Sequence, residues 1–286
     1  ACSVERGAAG IGGALGEAGA PQRQGVAAVR AFVREMAALG VDNLKFLLSG
    51  DDVFRPGGAQ ELFYDDGELA AIAAEAQEAG LWLAAHAQSA EAVRRAVRHG
   101  FRIVYHCSWA DEAALDALES RRDALFVAPS LGATWATLHH PERAGLTARD
   151  LEARGTRQTL ERYQRVMPEL LRRGIRVLPG GDYGFMQCPH GENARDLQLF
   201  VDLLGFSPAQ TLRAATRWGA CLMGREASLG LVREGYLADL VLVEGDPLED
   251  IGILQDRSKL AMVMKDGAVV HSHRSRAGHA RMPLTP

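Results

Sequence analysis

Short apolar runs alternate with amphipathic, Ala-rich stretches along the middle of the chain. Five runs lack polar alternation and predict strands buried on both faces: 41–49, 81–87, 102–108, 124–130 and 176–182. Stretches with apolar residues at helical spacing predict helices between and after them: 66–79, 90–99, 111–120, about 147–173 and 193–204. Strands that alternate with helices indicate βαβ units, so we predict an α/β fold with a parallel sheet.

The pattern changes after Asp182. Ser207-Pro208 opens another helix, with Ser at the N-cap and Pro at the first helical position. From Leu229 onward, short β-branched runs separated by Gly and Asp predict antiparallel strands, with Asp266-Gly267 as a hairpin turn. We therefore expect an α/β domain over 1–228, a small β-sandwich portion over 229–270 and a disordered basic tail over 271–286.

Composition narrows the protein class. The chain has 286 residues, a net charge of −4, 47% hydrophobic and 24% charged residues, which is typical of a soluble globular protein. The acidic balance argues against nucleic acid as a partner. The sequence shows no apolar run of about 18–20 residues and no secretory signal, so we expect a cytoplasmic protein without a membrane partner. Four scattered cysteines without a CxxC pair predict reduced thiols. The sequence is compatible with a homo-oligomer.

Four polar residues interrupt the apolar runs at or near the carboxyl ends of predicted strands. They are Lys45, His86, His106 and Asp182. In a parallel α/β barrel, catalytic groups lie at these strand ends. Two neutral imidazoles and a carboxylate suit zinc or a similar divalent metal, whereas a lysine becomes a ligand only when it is deprotonated or converted to a carbamate. The sequence therefore predicts a metal site with Asp182 as general base.

The segments around these residues resemble the amidohydrolase superfamily, most closely its imidazolonepropionase-like and prolidase-like branch. The resemblance runs from about Val41 to Gly267. The segments that carry it are NLKFLLSG, LAAHAQS, VYHCS and PGGDYG, followed by AATRWGACLMG, LGLVREGYLADLVLVEGDPLEDI and MVMKDG.

The resemblance implies a metal-dependent hydrolase with a (β/α)8 TIM-type barrel and a small β-sandwich made from both chain ends. Lys45 would carry a carbamate derived from CO2 and bridge two divalent metals, with zinc as the expected ion and one or two ions bound. His86 and His106 would bind one metal, and Asp182 would bind the other and act as general base. The implied reaction is hydrolysis of a C–N amide bond, by a metal-activated hydroxide, in a small-molecule, cyclic amide or dipeptide-like substrate.

One part of the family pattern is missing from the sequence. The family's first barrel strand ends in a His-x-His pair, and no such strand precedes Lys45, so we expect about five of eight barrel strands and half of the sandwich. His271-Ser272-His273 has the spacing, but it lies beyond the last predicted strand and is not assigned as a metal pair. Two alternatives follow: an incomplete or degenerate barrel that binds small molecules without turnover, and a related deaminase, against which Lys45 counts.

Other side chains that follow the predicted strand ends are candidates for lining a substrate pocket: Trp109, His139, His140, Tyr183 and His190. The loop 50–65 after the Lys45 strand either forms part of that pocket or packs over the barrel mouth.

Overall fold

A computed structural model of the chain describes residues 25–53 and 56–273. The chain divides into two compact units between Gly205 and Phe206. This division falls earlier than the expected domain boundary after residue 228, because the helices that begin at Pro208 group with the C-terminal strands.

The first unit contains a sheet in which every neighbouring pair of strands is parallel. Its strands are β1 (Asn43–Leu47), β2 (Trp82–Ser89), β3 (Ile103–Trp109), β4 (Phe126–Ala128) and β5 (Arg176–Val177). Their spatial order follows the chain from β1 to β5, as in the successive βα units of a barrel. The prediction of an α/β fold with part of a TIM-type barrel is confirmed.

Helices connect these strands. They are α1 (Val26–Ala38), α2 (Asp66–Glu78), α3 (Ala90–Arg98), α4 (Glu112–Ser120), α5 (Leu131–His139), α6 (Ala148–Ala153), α7 (Thr156–Arg172) and α8 (Arg195–Leu204), with 3-10 turns at Gly58–Gln60 and Pro141–Ala144. The predicted helix over 147–173 is two helices, because Gly155 adopts a left-handed conformation (φ 60°) between them.

The sequence did not predict α1 or α5. Gly25 precedes α1 without a side-chain cap, and α5 has Ser130 at its N-cap without a cap bond and Gly132 in its first turn, so the start signals of both helices are weak. Tertiary packing stabilises α1, whose Val29, Phe32 and Val33 are buried.

The core of this unit lies between the sheet and its helices. In β2, seven of the eight residues are buried, which explains the apolar run on both faces of this strand. Helix α3 turns Ala92, Val93, Ala96 and Val97 into the core, at the spacing of a single helix face. The helices thus cover the sheet with apolar side chains.

The second unit begins with short helical segments and ends in an antiparallel sheet. The helical segments are α9 (Pro208–Arg213), a π-helical turn (Ala214–Trp218) and α10 (Gly219–Leu222). The sheet consists of β6 (Leu240–Val243), β7 (Leu260–Lys265) and β8 (Ala268–Ser272), and 3-10 turns at Ile251–Gln255 and Arg257–Lys259 lie between β6 and β7.

The predicted hairpin turn between β7 and β8 is confirmed, with positive φ at Asp266 (49°) and Gly267 (79°). The expectation that an unstructured tail begins at His271 is wrong, since His271 lies in β8 and pairs with Val263 of β7. The ring of His273 lies 4.8 Å from that of His271. The remainder of the expected tail, 274–286, lies outside the described residues.

Within residues 25–53 and 56–273, no helix combines the length and the apolarity needed to cross a membrane.

Helix α2 begins with a capping box formed by Asp65 and Glu68. Glu68 N donates to Asp65 Oδ1 (2.8 Å), and Asp65 N donates to Glu68 Oε2 (3.0 Å). We expect Asp65→Ala to lower the free energy of unfolding by about 1 kcal/mol, because it leaves the Glu68 amide without its acceptor. Urea denaturation measures this loss. Gln77→Ala, at an exposed position of the same helix, is the control, and equal effects of the two changes would contradict the capping role.

Candidate metal centre and active site

The parallel register of the sheet brings the predicted site residues together. Leu47 pairs with His86 across β1 and β2, and Ala87 pairs with His106 across β2 and β3. Lys45 lies two residues before Leu47 on β1. The first three predicted residues therefore come from adjacent strands near their carboxyl ends, where barrel enzymes place their chemistry.

The backbone is strained at two of these residues. His106 (φ 74°) and Asp182 (φ 58°) are in the left-handed region, as is Cys107 (φ 54°). The pairing of β2 with β3 becomes irregular between Ala87 and Ser89, beside this distortion. Non-glycine residues avoid positive φ, and such outliers concentrate where function requires a side chain in a particular direction. The strain makes His106, within β3, and Asp182, in the loop after β5, candidates for a functional role.

One cluster of ligand atoms in the described part of the chain could hold a metal ion. Asp51, His86 and His106 each offer an atom, and these atoms all lie within 4.8 Å of one another. His86 Nε2 is 3.8 Å from Asp51 Oδ2, and the two imidazole rings have centroids 4.3 Å apart. Asp51 was missed in the sequence, although a carboxylate that directly follows a strand carrying a candidate ligand was a usable signal.

A hydrogen-bond relay fixes the orientation of His106. Its Nδ1 lies 2.9 Å from Ser130 Oγ, and that hydroxyl donates to Asp182 Oδ2 (3.4 Å). When the hydroxyl gives its single proton to Asp182, the same oxygen accepts from the Nδ1–H of His106, and we assign His106 this tautomer. Nε2 of His106 then carries a lone pair, and this atom is buried without a hydrogen-bond partner among residues 25–53 and 56–273. A buried acceptor without a partner fits a metal ligand.

Ser130 was also missed, because it closes a run that predicted a strand. The structure ends β4 at Ala128 and makes Ser130 the N-cap of α5. Serine at that position normally accepts a bond from the helix backbone, yet its side chain makes no cap bond here. The hydroxyl serves His106 and Asp182 instead, while Tyr163 OH lies 3.4 Å from the same His106 Nδ1.

Burial sets the charge state of the cluster. It lowers the pKa of His86 to about 4, with a further contribution from the charge of Lys45. Burial, His86 and Lys45 together hold the pKa of His106 well below its usual value. Burial raises the pKa of Asp51 to about 6. At neutral pH the site therefore presents two neutral imidazoles and a carboxylate, which are the forms that bind zinc.

Lys45 and Asp182 lie beside this cluster. Lys45 Nζ is 5.0 Å from the ring centroid of Tyr105, the residue before His106. The negative charge of Asp182, an exposed residue, contributes to raising the pKa of Asp51 and of Tyr105 after the larger effect of burial. The structure thus gathers all four predicted residues in one region with Asp51, and their roles as ligands stay a prediction.

Two of the candidate pocket residues are held by carboxylates. Tyr183 OH donates to Asp196 Oδ1 (3.1 Å), and Trp109 Nε1 donates to Asp52 Oδ2 (3.0 Å). The guanidinium of Arg162 stacks on the Trp109 ring, 3.3 Å from its centroid. These contacts fix both aromatic side chains, so their first role is to shape the loops that follow the strands.

The three candidate histidines have other neighbours. The ring of His139 stacks on Trp135 at 4.2 Å, and His140 meets the same indole edge-on at 5.7 Å. His190 is exposed and lies beside Gly184, where an added Cβ would be 3.1 Å from its Nε2. Their part in lining a substrate pocket stays a prediction.

Comparisons with known proteins identify a family for the chain. The model of the Amidohydrolase family matches residues 10–270. Ochratoxinase from Aspergillus niger is 28% identical over 245 residues, covering 85% of this chain and 49% of that protein. Imidazolonepropionase from Symbiobacterium thermophilum is 27% identical over 202 residues, covering 71% of this chain and 47% of that protein.

A crystal structure of a prolidase complexed with N-methylphosphonate-L-proline superposes with a TM-score of 0.77 at 29% identity. The match covers 87% of this chain and 59% of that one. The chain spans about half the length of the curated relatives it matches.

The buried imidazole of His86 makes stability depend on pH. In the unfolded chain this group gains a proton below its ordinary pKa of 6.5, whereas in the fold it stays neutral down to about pH 4. Between these values the unfolded chain binds more protons, so stability falls as the pH is lowered. We expect the metal-free protein to lose about 2 kcal/mol more than His86→Gln between pH 7 and pH 5.

Urea denaturation after chelation measures that difference. His190→Gln, at an exposed position, is the control and should keep the wild-type dependence on pH. Parallel pH curves for wild type and His86→Gln would contradict a buried neutral imidazole.

The relay makes Ser130 a determinant of metal affinity. Ser130→Ala removes the acceptor of His106 Nδ1–H, so we expect zinc affinity to fall about 10- to 100-fold. A competitive zinc titration against a chelator measures it. Ser120→Ala changes an exposed serine that bonds only the Ala117 carbonyl, and it should leave the affinity unchanged. Equal affinities of the two variants would show that the relay does not orient a ligand.

Proposed function

The chain belongs to the amidohydrolase family, and on that premise we propose that it hydrolyses a C–N amide bond in a small molecule with the help of a divalent metal. The observation that carries the proposal is His106 Nε2, a buried nitrogen without a partner in the described residues, next to His86 and Asp51. No residue of the described part of the chain bonds to that nitrogen, and a metal ion held with His86 and Asp51 would supply its partner.

The donor set fits zinc, since two neutral imidazoles and a carboxylate are ligands that zinc prefers. A zinc ion held by Asp51, His86 and His106 would lower the pKa of bound water to about 7 and polarise the substrate carbonyl. The number of ions that bind, one or two, depends on the charge of the Lys45 side chain, since an ammonium group repels a cation.

Carboxylation of Lys45 removes that repulsion. The ammonium first loses one proton to water, and the neutral amine nitrogen then forms a bond to the carbon of CO2 and loses a second proton. A cationic side chain thereby becomes an anionic carbamate. The position of Lys45 supports this proposal, because its charge already acts on both imidazoles from β1. The carbamate would then join Asp51 and Asp182 as an oxygen donor at the site.

Asp182 is proposed as the general base. The residue is exposed, so its carboxylate can reach water and substrate at the mouth of the sheet. Its Oδ2 accepts a bond from Ser130, which limits its orientation. The carboxylate takes a proton from the attacking water and delivers it to the leaving nitrogen, which then departs as an amine.

The names of the relatives support the substrate class. The prolidase structure holds a proline-containing phosphonate, and an imidazolonepropionase is also among the similar proteins. We propose a cyclic amide or a dipeptide-like substrate. Trp109, Tyr183, His139, His140 and His190 are the proposed pocket-lining residues, acting directly or through the loops they hold.

The carbamate gives this proposal a direct test. After incubation with 13C-labelled bicarbonate and zinc, we expect one carbamate signal in the 13C NMR spectrum. Lys45→Ala should lose that signal and lower hydrolysis of Xaa-Pro dipeptides or N-acyl amino acids by about 100-fold or more, because an anionic ligand is missing. Lys259→Ala, at an exposed lysine, should keep both.

Two results would contradict the proposal. One is a wild-type chain that binds no zinc above trace levels. The other is a Lys45→Ala variant that retains wild-type hydrolysis.

A further inference from the structure

Two loops carry the groups that surround His106. The first follows β4 and holds Ser130, and the second follows β5 and holds Asp182. The Ser130 hydroxyl lies 3.4 Å from Asp182 Oδ2, so the relay to His106 depends on the distance between the two loops. A backbone bond from Ala133 N to Gly181 O (2.7 Å) already ties one loop to the other.

Asp196 joins both loops from a third element. It lies in the first turn of α8 and is only 2% exposed. Its carboxylate lies against the backbone of both loops. A Cβ added at Gly132, two residues after Ser130, would be 2.5 Å from Oδ1, and one added at Gly181, just before Asp182, would collide with the same atom. The backbone amides of Gly132 and Gly180 act on this carboxylate as donors that lower its pKa. Tyr183 OH donates to the same carboxylate at 3.1 Å.

The Tyr183 hydroxyl and the backbone of both loops thus meet one buried group, which explains why an acidic residue is used. A carboxylate is an acceptor only, with room for all three bonds. Burial raises the pKa of Asp196 to about 7, while the Tyr183 bond and the two backbone bonds act in the opposite direction. Burying a carboxylate is costly unless such bonds are made.

Glycine at two positions permits this close approach. A Cβ added at Gly132 would lie 2.5 Å from both Asp196 Oδ1 and Tyr183 OH. A Cβ added at Gly181 would collide with the same two side chains. Both loops are therefore built around the carboxylate, which is a structural requirement at the backbone level.

We propose that Asp196 is a positioning residue for the hydrolytic site, because it clamps the Ser130 loop to the Asp182 loop and so fixes the relay to His106. The role rests on the function proposed above. Asp196 acts through Ser130 and Asp182. Tyr183 belongs to the same clamp, since its hydroxyl supplies the third bond.

Asp196→Asn tests the clamp. The amide offers one acceptor oxygen, and its NH2 group faces a donor, so at least one bond is lost. We expect kcat on the dipeptide to fall about 10- to 100-fold while KM stays within about threefold, because misplacement by a fraction of an ångström affects the reacting geometry most. Exchange of the Gly132 and Gly180 amides, followed by NMR, should become about tenfold faster or more.

Two further variants complete the experiment. Asp202→Asn changes an exposed aspartate of the same helix and should leave kcat and amide exchange unchanged. Tyr183→Phe leaves the Asp196 carboxylate and its contacts with both loops in place, so we expect this variant to fold even if Asp196→Asn does not. It should lower kcat about three- to tenfold, because one bond to the carboxylate is lost.

The outcomes separate the two proposals. If the wild type is active and Asp196→Asn shows faster exchange of the Gly132 and Gly180 amides with an unchanged kcat, the positioning role alone is overturned. Unchanged exchange in Asp196→Asn would overturn the clamp itself. A zinc-loaded wild type without hydrolysis would contradict the hydrolase function, and the catalytic role of Asp196 with it.

Discussion

The single proton of the Ser130 hydroxyl organises the site. When it is donated to Asp182, the same oxygen accepts from His106 Nδ1–H. The tautomer of His106 follows from that bond, and Nε2 is left as a buried acceptor beside His86 and Asp51. Serine is used here for its ability to accept and donate at once, at the expense of the helix cap it would otherwise provide.

The fold supplies what this relay needs. Parallel strands end at one edge of the sheet, so residues far apart in the chain meet there without a long connection. The buried strands exclude water from His86 and His106 and keep both imidazoles neutral. Left-handed backbone at His106 and Asp182 then turns their side chains away from the regular pleat, and packed loops hold that strain in place.

Sequence patterns were sufficient for the α/β class, the order of the strands and the placement of Lys45, His86 and His106 on three adjacent strands. The predicted strand 176–182 is too long, because β5 ends at Val177 and Asp182 lies in the loop that follows it. Sequence patterns were insufficient where the signal was local backbone geometry. Asp51 lies in a loop whose course no periodicity encodes, and Ser130 looked like the end of an apolar run. Asp196 resembled an ordinary polar residue near a helix start, and only tertiary burial shows that loop backbone converges on it.

We propose that Asp51, His86 and His106 form the metal site of this chain, and anomalous X-ray diffraction from crystals grown with zinc tests this assignment. We expect an anomalous peak about 2.0–2.2 Å from His106 Nε2, a ring nitrogen of His86 and an oxygen of Asp51. A peak found only between His271 and His273, or none near His106, would contradict it.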